Sequence, residues 1–407
     1  MFRPSNTIVG LEIGTSKICA IVGEVSAEGA LNIIGIGQAR SRGVRKGEIT
    51  DPQSVEEDIR HAIAEAEQTA DVEIRSVYLG VTGSHIRGFV NRGFHPVVAD
   101  DREVNAEDVE CVVKNAKAIN LPAENTVIHS IRQHFVLDGQ DGIQNPVHMV
   151  GARLEVDLHV IHGNFNRLQN PIRVVKGMQI EVESIVFNGL GSALSLLTTE
   201  QKELGALVID IGAGTTEYAV YTDGVIKHAG VLAVGGDHIT NDLAYGLKVP
   251  QSRAESLKKE HGAAVVGDVG EDETIQLTSD HGLPVKTVSR ANLLRIMAMR
   301  VEEIFELIAE DLDTKGLLNY LRAGVFVAGG GSNIRGLREL GERVFHLPVT
   351  IGRTCTVAGL PSQLQQPEFV TAIGLVKFGS LQQRVRPAGW SLGNLIKNPF
   401  GGIFSRG

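Results

Sequence analysis

A segment near the start of the chain returns in its second half. Residues 8–25 read IVGLEIGTSKICAIVGEV, and residues 206–224 read ALVIDIGAGTTEYAVYTDG. Each runs from an apolar strand through an acidic residue and Ile-Gly into small and hydroxyl residues, then into a second β-rich strand. Glu12 and Asp210 hold equivalent places. Strand, tight glycine turn and return strand together form the signature of a β-hairpin. One such hairpin per half predicts two similar domains, whereas a solenoid would repeat every few tens of residues. A length of 407 residues leaves room for both.

The same turns carry chemistry. Gly14, Thr15, Ser16 and Lys17 sit at the first strand-to-strand turn, and Gly212, Gly214, Thr215 and Thr216 at the second. Glycine lets backbone N–H groups approach phosphate oxygens, and hydroxyls and a lysine add donors. Two facing hairpins can hold a polyphosphate from both sides. Glu12 and Asp210 aim carboxylates at that space, placed to orient water or a bound Mg²⁺, since hard cations prefer oxygen. A third glycine turn, Gly329-Gly330-Gly331-Ser332-Asn333, follows a strand and opens a helix. Flat glycine backbone admits an adenine face, and a helix N-terminus favours phosphate. Neither a GxGxxG fingerprint nor a Walker A loop is present. Each turn alone could be plain packing; the three together, in this order, point to a nucleotide.

Between the hairpins, Asp51-Pro52 is a helix start, followed by Val55, Ile59, Ile63 and Ala66 at helical spacing. SVYLGVTG (76–83) reads as a strand. Residues 86–165 change character, with one acidic helical stretch among several strands, and read as an inserted α+β unit. ESIVFNGLGSALSLL (183–197) reads as strand, glycine turn and helix. Residues 250–316 are helical at both ends, with a hairpin around Ser279–Pro284. In the last helix of that stretch Leu293, Met297, Val301, Ile304 and Ile308 share one face. EFVTAIGLVKFG (368–379) predicts a further helix, and from Ser380 onward the chain reads as a tail.

Composition removes several function classes. A net charge of -9 argues against general nucleic-acid binding. Cys19, Cys111 and Cys355 are odd in number and far apart, which fits a reducing compartment; Cys19 reads as a small core residue. The opening residues lack a signal peptide's apolar core, and no run is long enough to span a bilayer. The expectation is a cytoplasmic protein. His159 and His162 resemble a metal pair, but a strand would put them on opposite faces.

The tail qualifies that expectation. No acidic residue follows Glu368, while Lys377, Arg384, Arg386, Lys397 and Arg406 give this end +5. Leu392, Leu395, Ile396, Phe400, Ile403 and Phe404 fall within an arc of about 140° on a helical wheel, with Trp390 just before them. A basic amphipathic end reads as an interfacial membrane anchor. Docking of these residues on the protein's own surface is the alternative, and Pro399 with Gly401-Gly402 interrupts a single helix.

These turns resemble the superfamily of actin, MreB, DnaK-type chaperones and sugar kinases. The likeness to the FtsA family is closer and covers nearly all of the chain. GLEIGTSK and IDIGAGTTEYAVY carry it, with IIGIGQARSRGVRKGEITD (33–51), GIQNPVHMVGARLE (142–155), AVGGDHITNDLAYGLKVPQSRAESLKKEHG (233–262) and FHLPVTIG (345–352). The resemblance implies an α/β, actin-like fold of two ribonuclease-H-like domains around an ATP cleft. Subdomain 1A would take 1–85 and 166–198, and the inserted 1C would take 86–165. Subdomain 2A would take 199–235 and 317–379, 2B would take 236–316, and 380–407 would be linker and membrane-targeting tail.

It further implies ATP and Mg²⁺, the metal held through Asp210 and the ATP phosphates. Gly235, Gly236, Glu255 and Lys258 would join Gly329, Gly330, Gly331 and Asn333 around the adenosine, although Glu255 and Lys258 alone read as a solvated helix face. Arg300 matches a family arginine on the surface of 2B that receives the C-terminal peptide of the tubulin-like protein FtsZ, and Arg295 lies beside it. Alone, Arg300 reads as a surface arginine paired with Glu303 or Glu302. Trp390, Leu392, Leu395, Ile396, Lys397, Phe400, Ile403, Phe404 and Arg406 would meet an anionic membrane. Other implied partners are further copies of the chain in filaments and later division proteins through 1C, all at the division site on the cytoplasmic face of the inner membrane. Glu12 stands where most of the superfamily has aspartate, which separates binding ATP from hydrolysing it. A pilus or secretion scaffold similar to PilM and a sugar kinase are the alternative readings; neither accounts for both the long FtsA-like blocks and the basic tail.

Overall fold

The computed structural model describes residues 7–26, 29–267, 270, 272–278, 284–355, 357 and 362–385. The tail positions from Trp390 to Arg406 and the tip of the hairpin near Ser279 lie outside the described residues.

The first hairpin is β1 (Thr7–Ile13) and β2 (Lys17–Val25), extended antiparallel by β3 (Leu31–Arg40). A small ribbon, β4 (Val44–Arg45) and β5 (Glu48–Ile49), leads to α1 (Pro52–Ala70). Asp51 caps this helix by accepting from the amides of Gln53 and Ser54, and its buried face is Val55, Ile59, Ala62, Ile63 and Ala66. Then β6 (Ser76–Val81) pairs parallel with β1.

The chain next leaves for the inserted unit. Its strands β7 (Arg87–Pro96), β8 (Asn125–Leu137), β9 (Gln140–Ile143) and β10 (Arg153–Asn164) form a sheet in the order β7-β10-β8-β9, with α2 (Ala106–Lys117) between β7 and β8. The chain returns through α3 (Phe165–Gly177) to β11 (Glu181–Phe187), parallel to β6. Helix α4 (Asn188–Leu196) starts without an intervening turn; its glycines lie inside the helix, which is buried along its whole length.

The second half repeats the plan. After α5 (Thr199–Leu204), β12 (Ala206–Ile211), β13 (Thr216–Thr222) and β14 (Val225–Leu232) form an antiparallel meander. Helices α6 (Gly236–Leu247) and α7 (Gln251–His261), strands β15 (Thr274–Thr278) and β16 (Pro284–Ser289), and α8 (Arg290–Thr314) follow. Leu293, Met297, Val301, Ile304 and Ile308 of α8 are all buried, as their spacing predicts. Each contributes about 1.5–3 kcal/mol by leaving water. Then β17 (Gly324–Ala328), α9 (Leu337–Phe345) and β18 (Val349–Ile351) complete the second sheet.

The two sheets have matching topology. The first runs β11-β6-β1-β2-β3 and the second β14-β13-β12-β17-β18. In both, the leading strand of the hairpin pairs antiparallel on one side and parallel on the other. This is the duplication that the repeated segment predicts.

The last helix, α10 (Val370–Val385), differs from expectation in two ways. It runs past Ser380, where the tail reading begins, and Ser380 and Gln382 are buried. It also packs on β1, β2, β6 and α4 of the first half, not within the second half to which the sequence reading assigns it. A β-carbon on Gly10 of β1 would come within 2.7 Å of the Ala372 carbonyl, so helix and sheet meet backbone to backbone. One apolar cluster therefore runs from Ile8 and Ile21 through Phe187 and Val208 to Phe378. Among the described residues no helix is long and apolar enough to cross a membrane.

Candidate functional site: the cleft between the two hairpins

The two turns are built alike. The amide of Gly14 donates to the Lys17 carbonyl at 3.0 Å, and the amide of Gly212 donates to the Thr215 carbonyl at 2.9 Å. Each turn is thus closed by its first glycine. Among the described residues, the amides of Thr15, Ser16, Ala213 and Gly214 have no acceptor within the chain. The turns meet across the cleft: a β-carbon on Gly214 would collide with Thr15 Oγ1 and lie 2.8 Å from the Lys46 Cα. Thr15 Oγ1 also accepts from the Gly47 amide at 3.0 Å. The second turn is held from behind, where the amides of Gly236 and Asp237 donate to the carbonyls of Gly212 and Ala213 at 2.9 and 2.8 Å.

Three carboxylates lie beneath these turns. Asp210 is buried, accepts from the hydroxyl of Ser192 at 2.6 Å, and accepts a short bond from the hydroxyl of Thr371. Burial raises its pKa, and the two hydroxyls and Lys17 oppose that rise. Glu12 is pushed up to about 7, first by burial; Lys17 opposes this, and Asp210 and Glu368 add to it. Its Oε2 is closed off from solvent and has no partner among the described residues. Glu217 is pushed up to about 8 by burial and then by Asp210, although the hydroxyls of Thr82 and Thr215 donate to it. Lys17 donates to the Glu368 carbonyl at 2.5 Å and lies 4.0 Å from the centre of the Phe369 ring.

This arrangement suits a polyphosphate only together with a cation. Free amides and Lys17 attract phosphate; Asp210, and Glu12 and Glu217 to the extent that they are ionised, repel it, and a divalent ion relieves that repulsion. Among the described residues no three acidic, histidine or cysteine side chains converge to hold a metal by themselves. Phosphate oxygens would have to complete the shell, as Mg²⁺ commonly requires.

The sequence-predicted residues divide. Gly14, Thr15, Ser16, Lys17, Gly212, Gly214, Glu12 and Asp210 meet at the cleft. Thr216 does not: it is wholly buried and its hydroxyl donates to the Val234 carbonyl at 2.8 Å, so it builds the hairpin. Thr215 is buried and turned to Glu217. Among the residues expected around an adenosine, Lys258 donates to the Gly236 carbonyl at 3.0 Å and to Thr240 at 2.8 Å, and it pairs with Glu255 at 2.6 Å. Gly235 and Gly236 therefore connect the second turn to the Glu255–Lys258 helix. The triple glycine does not open α9 directly. Gly330–Asn333 is a 3-10 turn, and α9 begins at Leu337. Gly330 has nothing within 4 Å of a β-carbon position, and Asn333 is exposed.

Two residues escape the sequence reading. Glu217 follows the second turn within an otherwise apolar strand, and a lone acid in TEYAVY was the available signal. Asn188 starts α4 with its Oδ1 buried and, among the described residues, without a partner, beside Gly80, which pairs with Glu12. Nothing in the sequence shows that β11 comes to lie next to β6, so Asn188 carries no such signal.

Away from the cleft, Arg300 donates from Nε to Asp242 of α6 at 2.6 Å and pairs closely with Glu303. Glu302 pairs with Arg343 instead. Arg295 is exposed, and Tyr245 and Met299 are exposed at 89% and 71%. His159 is buried against Gly88, whereas His162 packs on Phe89. Cys19 is fully buried and its thiol is pushed up to about 12 by burial.

Comparison with known proteins follows the same outline. The family described as cell division protein FtsA matches residues 207–374, and the SHS2 domain inserted in FtsA matches 83–162. The cell division protein FtsA of Pseudomonas aeruginosa is 39% identical over 376 residues, which is 92% of this chain and 90% of that protein. That of Escherichia coli K12 is 39% identical over 379 residues, 91% of this chain and 90% of that protein. Among solved structures, the PilM–PilN type IV pilus biogenesis complex is similar with a TM-score of 0.64 and 17% identity, covering 92% of this chain and 98% of that one. MreB5 of Spiroplasma citri bound to AMPPNP is similar with a TM-score of 0.57 and 16% identity, covering 94% and 98%. At such identities these two establish the actin-like fold and nothing finer.

Proposed function

The chain belongs to the FtsA family of cell division proteins, and from that premise we propose that it is an ATP-binding adaptor that polymerises and ties FtsZ filaments to the cytoplasmic face of the inner membrane at the division site. The observation that carries the nucleotide part is the pair of turns with free amides closing over three buried carboxylates. Gly14, Thr15, Ser16, Lys17, Gly212 and Gly214 would hold the phosphates of ATP. Asp210 and the phosphates would hold Mg²⁺, which supplies the charge that lets a triphosphate sit beside carboxylates. Glu255, Lys258, Gly235, Gly236 and the Gly329–Gly331 turn would surround the adenosine. Binding of ATP, more than its turnover, is the role read here. Glu12, Glu217 and Asn188 are the groups near enough to order a water.

The partner surfaces follow from charge and exposure. Arg295 and Arg300, with exposed Tyr245 and Met299 between α6 and α8, offer cations and apolar anchors to an acidic peptide such as the FtsZ C-terminus. The inserted unit would recruit later division proteins. The tail would lie in the lipid surface through Trp390, Leu392, Leu395, Ile396, Phe400, Ile403 and Phe404, with Lys397 and Arg406 at the headgroups. Many weak tails on a filament bind by avidity.

The test is co-sedimentation of FtsZ polymers with anionic liposomes, using the full chain with ATP and Mg²⁺ against a chain ending at Val385. That end point keeps α10 whole. The expected result is that only the full chain carries FtsZ down with the lipid. If ATP binds but neither chain does so, the adaptor reading fails.

A further inference from the structure

The end of α10 borders a half-open cavity of about 260 Å³ lined by Gly29, Ala30, Leu31, Lys377, Ser380, Leu381 and Arg384. Lys377 and Arg384 stand seven residues apart, two helical turns, and so project from the same face. Arg384 donates to the Gly29 carbonyl across the mouth. Lys377 has no hydrogen-bond or ion-pair partner for its ammonium among the described residues. It is only partly exposed. Lys202 of α5 acts on it electrostatically and lies over the ring of Tyr221. Among the described residues the groups acting on Lys377 are Lys202, the Cys355 thiol and Arg384, with no carboxylate among them. Burial pushes Lys377 down to about 8, and the two neighbouring cations push it further the same way; Lys202 is pushed down to about 8 by burial as well.

Lys377 and Arg384 line the cavity, Lys202 adds a third cation acting on Lys377, and among the described residues no carboxylate balances them. The arrangement is relieved by an anion. The chain that follows α10 carries Arg386, Lys397 and Arg406 and no acidic side chain. Cavity and tail thus present the same sign of charge and are joined directly.

We propose that the cavity between Gly29–Leu31 and the Lys377–Arg384 face of α10 is a binding site for a phosphate group, filled by the headgroup of an anionic phospholipid when the tail lies on a membrane. The lipid source rests on the membrane-tether reading above; the phosphate chemistry does not. Headgroup capture would fix the angle at which the body stands on the bilayer, which a tail alone leaves free.

The test uses the full chain and an amine-acylating reagent at pH 7.5, with labelling at Lys377 and Lys202 quantified by mass spectrometry. Exposed Lys114 of α2 is the internal reference. Vesicles of phosphatidylglycerol are expected to slow labelling of Lys377 several-fold relative to phosphatidylcholine vesicles. Millimolar inorganic phosphate without vesicles separates the sources: protection by phosphate alone identifies a free-anion site, and protection by phosphatidylglycerol alone identifies a headgroup site. Replacing both cations, Lys377→Gln with Arg384→Gln, should weaken phosphatidylglycerol binding roughly fivefold per cation. No protection by either anion, or equal protection by phosphatidylcholine, overturns the proposal. If the chain sediments with phosphatidylglycerol while Lys377 stays open, the site fails and the tether stands. If it does not sediment at all, the tether fails and the phosphate arm alone decides the site.

Discussion

Asp210 sits where an aspartate is least willing to ionise, in the fully buried central strand of the second sheet. What makes it usable is its surroundings: two hydroxyl donors, Lys17, and a neighbour without a side chain. Gly329 has φ +81° and ψ 168°, a conformation close to exclusive to glycine, and a β-carbon there would collide with Asp210 Oδ1. Gly329→Ala therefore carries two penalties, about 1–3 kcal/mol of backbone strain and displacement of the carboxylate. We expect a folded protein with a lowered melting temperature and nucleotide affinity reduced at least about tenfold, read by calorimetric titration with Mg-ATP. Unchanged affinity would remove Asp210 from the site. At this scale the sequence was most legible where glycine and hydroxyl residues cluster. It was least legible where a side chain's direction decides its use. Thr215 and Thr216 look interchangeable in a string of letters, yet alternation along β13 sends one toward Glu217 and the other to the Val234 carbonyl.

Elements were easier to find than to assemble. The hairpins, α1 with its Asp51 cap and the buried face of α8 all follow from local pattern. The place of α10 does not, because an apolar helix near the end of a chain can cover any open sheet. Its true partner is set by the close approach of Gly10 in β1 to Ala372 and of Gly379 in α10 to Ile8 and Tyr78, contacts between residues about 300 positions or more apart. The α6–α8 pair shows how a surface element can be both structural and available. Arg300 joins the two helices through Asp242, with side chains 26% and 31% exposed. A pair this accessible contributes about 0.2–1 kcal/mol, little enough for a peptide carboxylate to displace Asp242. A double-mutant cycle of Arg300→Ala and Asp242→Ala should return a coupling energy in that range by denaturant unfolding. A value above about 2 kcal/mol, in the range of buried pairs, would mean that Arg300 belongs to the fold and is not free for a partner.

The two halves and the inserted unit are joined through a seam that has no expression in the sequence pattern. Gln133 of β8 donates to the Ile226 carbonyl of β14 at 3.1 Å, and Lys227 donates back to Gln133 at 3.1 Å. His129 and His159 lie alongside, both buried. The Phe187 amide donates to His129 Nε2 at 3.0 Å, which requires a neutral ring. Among the described residues His159 finds no partner for either ring nitrogen. Burial pushes both down to about 3, and the nearby histidines push the same way. The folded-state values lie below the unfolded one near 6.5. The stability these rings confer is thus complete above about pH 6.5 and is lost as pH falls toward 3, at up to about 1.4 kcal/mol per pH unit for each ring. Glu12 and Glu217 act in the opposite sense. Raised to about 7 and 8, they bind protons in the folded chain before the unfolded one, and so they offset part of the loss down to the ordinary carboxylate range near 4.5. The decline should therefore be shallow between pH 6.5 and 4.5 and steep below. His159→Asn removes one of the two titrating rings, so its melting temperature should fall less than that of the parent chain between pH 7 and pH 4. Parallel curves for the two proteins would show that the seam does not open on protonation and that acid acts elsewhere in the molecule.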